Sequence, residues 1–388
     1  MTSAPTPFKI DIPDAILADI KDRVARYPWA DLPDAGDWHC GTSLAYLRTL
    51  CRYWLDSYDW RAAEAKLNAL PQFHATAAGF PLHFIHVKGS GPRPRPLLLS
   101  HGWPGSFFEF AQLAEKLAHP ERFGGDPADA FDVVVPSLPG YGFSARPNRP
   151  IGPRTTSEIF NSLMTEVLGY ESYLAQGGDW GSMITGWLGY RYPQSCRAIH
   201  LNMVILRSPA MAPQGDAEKE WESRSQSMFR TEGAYLQLQS TKPQSLAFAM
   251  MDSPVGIAAW IVEKFAAWSH LPRDPKGSPA LGVRYSEDDL LTNIMIYLVT
   301  RSFATSTWMY RGFAEERPNR MEAGTSVTVP TGIAAFPDPV FPLPPRSLVE
   351  RGYNVTHWTD MPRGGHFAAM EEPELFLDDL RAFARSVR

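Results

Sequence analysis

The sequence predicts an α/β fold with a mostly parallel central sheet, helices on both faces and a long helical interruption late in the chain. Three observations carry this expectation. Short apolar runs recur, each closed by a Gly/Pro-rich turn, and helical periodicity fills several of the gaps between them. From about Ser208 to Arg320, in contrast, apolar residues recur only at helical spacing. Buried strands alternating with helices make a parallel sheet covered on both sides.

Taken in order, Pro13 to Arg26 places Ile16, Leu17, Ile20 and Val24 at helical spacing, and Ser43 to Tyr58 carries a second stripe. The first 90 or so residues therefore read as mostly helical. Phe80 to Val87 turns β-like before a Gly/Pro-rich turn at Gly89 to Pro96. Strands follow at Pro96 to Ser100, Phe131 to Val135, Ser172 to Ala175, Ala198 to Ile205, Ser326 to Val329 and Asn354 to Thr359. The late interruption reads as helices over Asp216 to Gly233, Pro243 to Met251, Pro254 to Trp268 and Ser286 to Phe313. A helix from Pro373 to Val387 ends the chain.

Composition excludes more than it assigns. With 388 residues, 44% hydrophobic and 20% charged, the chain is long enough for a sizeable core. A net charge of −5 and no Lys/Arg block argue against nucleic acid or a membrane surface as partner. The 12 Trp and 21 Phe suit a greasy pocket, although most such rings simply fill a core. Cys40, Cys51 and Cys196 are too scattered for a disulfide framework or a zinc site, which points to a reducing compartment. Met1 to Phe8 lacks the pattern of a signal peptide, and no stretch nears the roughly 18 apolar residues of a membrane span. A soluble, cytoplasmic protein is the expectation.

Ligands of parallel sheets gather at the carboxyl ends of strands, and three motifs lie there. Gly177-Gly178-Asp179-Trp180-Gly181 follows an apolar strand and has the form of a nucleophile elbow, with a carboxylate in place of a serine. Asp also caps helices, so the motif alone leaves both readings open. Ser100-His101-Gly102-Trp103-Pro104-Gly105 is a Gly-rich loop able to aim a backbone N–H at an oxyanion, with the Trp180 N–H as second donor. His101 itself reads as structural. Arg363-Gly364-Gly365-His366-Phe367 comes last, where hydrolases of this chain order carry their general base.

With these motifs in place, the chain resembles the microsomal-type epoxide hydrolases of the α/β-hydrolase superfamily. Tyr58-Asp59-Trp60-Arg61 and Glu64-Ala65-Lys66-Leu67-Asn68 echo their N-terminal extension. His101-Gly102-Trp103-Pro104-Gly105-Ser106, Gly177 to Ser182 and Arg363 to Ala369 match their core motifs. Thr241-Lys242-Pro243-Gln244, Asp252 to Gly256 and Asp289-Leu290-Leu291-Thr292-Asn293 match their lid. The resemblance implies four segments: an extension over 1–90, core over 91–207, a helical lid over 208–322 and core again over 323–388.

It also implies the chemistry. Asp179 attacks an epoxide carbon to leave an alkyl-enzyme ester, and His366 activates the water that hydrolyses it. The N–H groups of Trp103 and Trp180 hold the oxyanion, and two lid tyrosines, matched by Tyr235 and Tyr310, assist ring opening. Tyr297 competes with Tyr310 for the second position, and aromatic lid packing is the alternative role for Tyr235 and Tyr310. Asp, His and water suffice, so no metal or organic cofactor is expected. The partners are a small epoxide and water, and dimers among relatives make a homodimer the corresponding expectation. The aromatic-rich lid suggests an apolar, aryl-bearing epoxide, and soluble relatives in enediyne antibiotic pathways point to a secondary-metabolite one.

One departure stands against the family pattern. Phe-Pro-x-Glu is expected after the strand near Ser326, but the sequence reads Phe336-Pro337-Asp338-Pro339. Asp338 is then the candidate acid for His366, one position early and on a shorter side chain. A haloalkane dehalogenase is the alternative enzyme, since it shares the Asp–His chemistry. A ligand-binding protein disabled at Pro339 is the alternative from outside enzymology.

Overall fold

The computed structural model describes residues 2–29, 32–33 and 36–387; Met1 and Arg388, at the outer ends of the expected first and last segments, lie outside the described residues. The strands are β1 (Thr6–Phe8), β2 (Gln72–Ala77), β3 (Phe80–Val87), β4 (Arg95–Ser100), β5 (Phe131–Pro136), β6 (Tyr173–Gly177), β7 (Cys196–Leu201), β8 (Val327–Ala335) and β9 (Tyr353–Asp360). Among the described residues they form one sheet in the order β1-β2-β3-β5-β4-β6-β7-β8-β9. From β5 across to β9 every pairing is parallel, while β1, β2 and β3 add an antiparallel margin. This is the α/β-hydrolase fold.

The middle strands are apolar on both sides because both faces are covered. Leu97, Leu98 and Leu99 of β4 and Val133, Val134 and Val135 of β5 have no solvent exposure. Helix Asp179–Arg191 packs along β4, β6, β7 and β8, and the helices Phe108–Ala118 and Pro373–Ser386 pack on each other.

Four local expectations are corrected. The first 90 residues hold helices Asp14–Ala25, Leu44–Asp56 and Trp60–Asn68, but also β1, β2 and β3, so they are not mostly helical. β7 stops at Leu201 instead of running to Ile205, and β8 runs on to Ala335 through Pro330 and Gly332. Register shifts between Val327 and Pro330 accommodate the proline, which cannot donate to a regular ladder. The expected helix from Ser286 to Phe313 is three, Glu287–Val299, Phe303–Ser306 and Trp308–Glu315. Arg301, at φ 53°, turns the chain between the first two.

Between β7 and β8 the principal helices are Asp216–Glu232, Ala234–Thr241, Pro243–Asp252, Pro254–Trp268 and the three just named. Their starts follow local rules. Pro243 and Pro254 sit in first turns, Ser253 caps Gly256, and Ser286 with Asp289 forms a capping box. The N-terminal helices pack on Pro254–Trp268 and Glu287–Val299, with Thr42 Oγ1 donating to Ala259 O at 2.7 Å and Tyr58 Oη 3.2 Å from Thr292 Oγ1. Among the described residues no single helix is long and apolar enough to cross a membrane.

Candidate active site

β4 lies between β5 and β6, so the connections leave it on opposite sides and a crevice opens at the carboxyl ends. Ser100 at the end of β4 is level with Gly177 at the end of β6. The loops holding Trp103 and Asp179 therefore meet. Asp338 follows β8 and His366 follows β9, which brings both to the same rim.

Asp179 opens its helix with φ 47°, a left-handed conformation that costs a non-glycine residue about 1–3 kcal/mol. Its neighbours make the turn possible. A Cβ on Gly177 would lie 2.1 Å from Gly181 O, and one on Gly181 would lie 1.8 Å from Ser100 O. Neither position admits a side chain. A Cβ on Gly102 would lie 2.2 Å from Asp179 Oδ1, so that glycine lets the first loop reach the carboxylate.

Trp103 N–H donates to Asp179 Oδ1 at 2.8 Å. Trp180 N–H belongs to the first helical turn, whose leading amides have no intrahelical acceptor. On the other side, Asp179 Oδ2 lies 3.4 Å from His366 Nε2, and His366 Nδ1 lies 2.9 Å from Asp338 Oδ2. Asp338 reaches this position because its Oδ1 accepts from Val340 N and Phe341 N, each at 2.8 Å. Pro339 has no N–H to offer, and the next two amides fold the turn around the carboxylate.

The His366 ring is boxed by Trp268, Phe341 and Phe367 at centroid distances of 4.8, 5.4 and 5.0 Å. Burial disfavours its charged form, but the hydrogen bonds and charges of Asp179 and Asp338 outweigh this and push its pKa up to about 10. The two acids thus favour the charged form of the ring. His101 is different. Burial takes its pKa down to about 4, and its Nε2 accepts from Leu138 N at 3.2 Å, as a neutral loop-shaping histidine would.

Tyr235 and Tyr310 both line the cavity that ends on Asp179. Their rings lie 5.8 Å apart, Tyr235 stacks on Trp103 at 5.3 Å, and Tyr310 meets Trp180 edge-on at 4.7 Å. Burial raises the pKa of both phenols well above the usual value, so both are protonated donors. Among the described residues Tyr310 Oη is buried with no hydrogen-bond partner. Tyr297 is committed elsewhere, donating to Gly105 O at 2.6 Å. The cavity, about 360 Å³, is walled chiefly by Trp, Phe, Leu, Val and Pro side chains.

Two models of known families match the chain. The epoxide hydrolase N terminus covers residues 5–110, and the alpha/beta hydrolase fold covers 95–255. A putative epoxide hydrolase of Stigmatella aurantiaca is 38% identical over 99% of this chain and 85% of its own length. The chain belongs to the epoxide hydrolase family. Epoxide hydrolase 1 of Oryctolagus cuniculus is 35% identical to this enzyme over 97% of the chain and 88% of that protein. Among solved structures, the Aspergillus niger epoxide hydrolase superposes with a TM-score of 0.84 at 32% identity, covering 100% of this chain and 97% of that one. The juvenile hormone epoxide hydrolase of Bombyx mori gives 0.86 at 28% identity, covering 100% and 95%. The enzyme's reaction is the hydrolysis of an epoxide.

Several residues around the epoxide hydrolase site were not singled out from sequence. Asn293 donates to Pro104 O at 2.8 Å and accepts from Ser106 Oγ at 2.8 Å, which ties the Trp103 loop to helix Glu287–Val299. Its only signal was its place in the Asp289 to Asn293 motif. Glu109, buried beside His366 and Asp179, has its pKa pushed up to about 8, chiefly by that burial. Lys264 sits 4.6 Å over the Tyr235 ring. Neither Glu109 nor Lys264 had a distinguishing sequence context.

Proposed function

We propose that Asp179 is the nucleophile, His366 the general base, Asp338 its partner, and Tyr235 with Tyr310 the donors to the epoxide oxygen. Asp179 Oδ2 attacks a ring carbon and the C–O bond breaks, with the developing alkoxide taking a proton through the tyrosines. Oδ1 is already held by the Trp103 N–H. Forming the ester removes the negative charge of Asp179, one of the two that keep His366 protonated. His366 gives up its proton, which replaces the one the tyrosines passed to the alkoxide, and the neutral imidazole then serves as base for a water that attacks the Asp179 carbonyl carbon. The oxyanion forms on Oδ1, between the N–H groups of Trp103 and Trp180. Collapse releases the vicinal diol and restores the carboxylate.

The observation that carries this assignment is the continuous contact from Trp103 N through Asp179 and His366 to Asp338. The short Asp338 contact in particular supports catalysis over a scaffold disabled at Pro339. The helices spanning 208–322 act as the lid, and the apolar cavity supports an aryl-bearing epoxide as substrate. A secondary-metabolite epoxide of antibiotic biosynthesis fits that class and rests on the sequence resemblance. The three unpaired cysteines suit a cytoplasmic location.

A single turnover in H₂¹⁸O with enzyme in excess tests the two-step route. The first diol should carry no ¹⁸O, and the label should appear in the peptide containing Asp179. Labelled diol with an unlabelled peptide would mean that water attacks the epoxide directly.

A further inference from the structure

Beside Asp179, the cavity wall holds one other charged side chain among the described residues, Arg207. It lies in the segment after β7, where its backbone oxygen accepts from Met321 N at 2.9 Å. Its guanidinium lies over the Trp221 ring, 4.6 Å from the centroid, and Trp221 is fixed in turn by Nε1 donating to Pro342 O at 2.9 Å. Among the described residues the guanidinium has no hydrogen bond and no ion pair, and Glu222 acts on it only through space.

Arg207 is half-buried, so its head keeps only part of its hydration. A cation partly withdrawn from water gains from a partner, as half-buried Arg351 does from Glu218 at 2.7 Å. Burial already weakens the charged state of Arg207. The rest of the cavity is apolar except for Asp179, Ser225 and the tyrosine hydroxyls, so the missing partner is not in the wall.

We infer that Arg207 is a specificity residue that binds a carboxylate carried by the epoxide substrate. The planar fork of a guanidinium matches a carboxylate in two parallel hydrogen bonds, and one guanidinium neutralises one carboxylate. A phosphate dianion would leave a net negative charge in an apolar chamber. Asp179 repels the same carboxylate, so the two charges orient the substrate with its epoxide at Asp179 and its acid at Arg207. This inference rests on the catalytic assignment proposed above and adds the substrate class to it.

The test compares each of two acids, 4-carboxystyrene oxide and 10,11-epoxyundecanoic acid, with its methyl ester, and uses styrene oxide as a neutral control. At least one acid should exceed its ester in kcat/KM by about 10–100-fold in the wild type, the range of a hydrogen-bonded charge pair. Arg207→Met should abolish that ratio and leave styrene oxide within about twofold, as expected for loss of a purely substrate-side contact. Arg207→Lys should keep part of the ratio, because charge remains without the fork. If Arg207→Met fails to fold, Arg207→Gln reads the same ratio. Equal rates for both acid–ester pairs in the wild type, or an acid preference that survives in the variants, would overturn the inference. Failure to turn over styrene oxide would instead strike the catalytic assignment beneath it.

Discussion

At the residue scale, one contact separates two tyrosines whose roles sequence alone left open. Tyr310 faces the cavity with a free hydroxyl, whereas the Tyr297 hydroxyl is spent on Gly105 O. Tyr310→Phe should therefore slow ester formation by about tenfold or more, and the double variant with Tyr235→Phe by about 10²–10⁴, the span of lost general acid catalysis. Tyr297→Phe should lower stability by about 1 kcal/mol with the chemistry largely kept. Stopped-flow tryptophan fluorescence and thermal melts distinguish these outcomes. His366 makes a pH prediction. Its pKa is raised from 6.5 to about 10 in the folded enzyme, so its stabilisation is complete below about pH 6.5 and is lost as pH rises through 10. The Tm of the wild type should fall across that interval more than the Tm of His366→Gln. Once Asp179 is esterified its share of that support is gone, and the hydrolysis step should show an inflection below 10. Asp338→Asn should move that inflection lower still and slow hydrolysis more than alkylation.

At the element scale, the strand-to-helix turns were legible because their chemistry is local. At Gly177, Gly181 and Gly102 an added Cβ would come within about 2 Å of a neighbouring atom, and such demands leave glycine in the sequence. Gly181→Ala should accordingly cost about 3 kcal/mol or more, since the Cβ would meet the backbone of β4 and no side chain can yield. A urea melt reads this directly. Asp338 was legible only as a position beside an unexpected proline. Its reach depends on amides at Val340 and Phe341 that spacing does not reveal. β1 was missed because a three-residue edge strand pairs with a partner more than sixty residues on, as Thr6 does with His74. The break at Arg301 has no Gly or Pro to announce it, so Ser286 to Phe313 read as one helix. β8 looked finished at Val329 because Pro330 and Gly332 interrupt its apolar run, and only the register shift lets it continue.

At the scale of the whole molecule, the site is assembled from both ends of the chain and from the insertion between β7 and β8. Core loops supply Trp103, Asp179, Asp338 and His366, while the insertion supplies Tyr235, Tyr310, Asn293 and Trp268. The N-terminal helices brace that insertion through Thr42, Tyr53 and Tyr58, although none of these three touches Asp179. Tyr58→Phe should thus lower stability by about 1 kcal/mol and increase proteolysis within the insertion before the core is cut. Cleavage in the core first would argue against the bracing role. The most direct test of the central claim is a quenched single turnover of styrene oxide, with wild type and His366→Gln side by side. Peptide mass spectrometry should find the alkyl ester on Asp179 accumulating in the variant, and diol should form only with wild type. Diol without any Asp179 adduct in either protein would contradict the account, because the nucleophile would then be wrong.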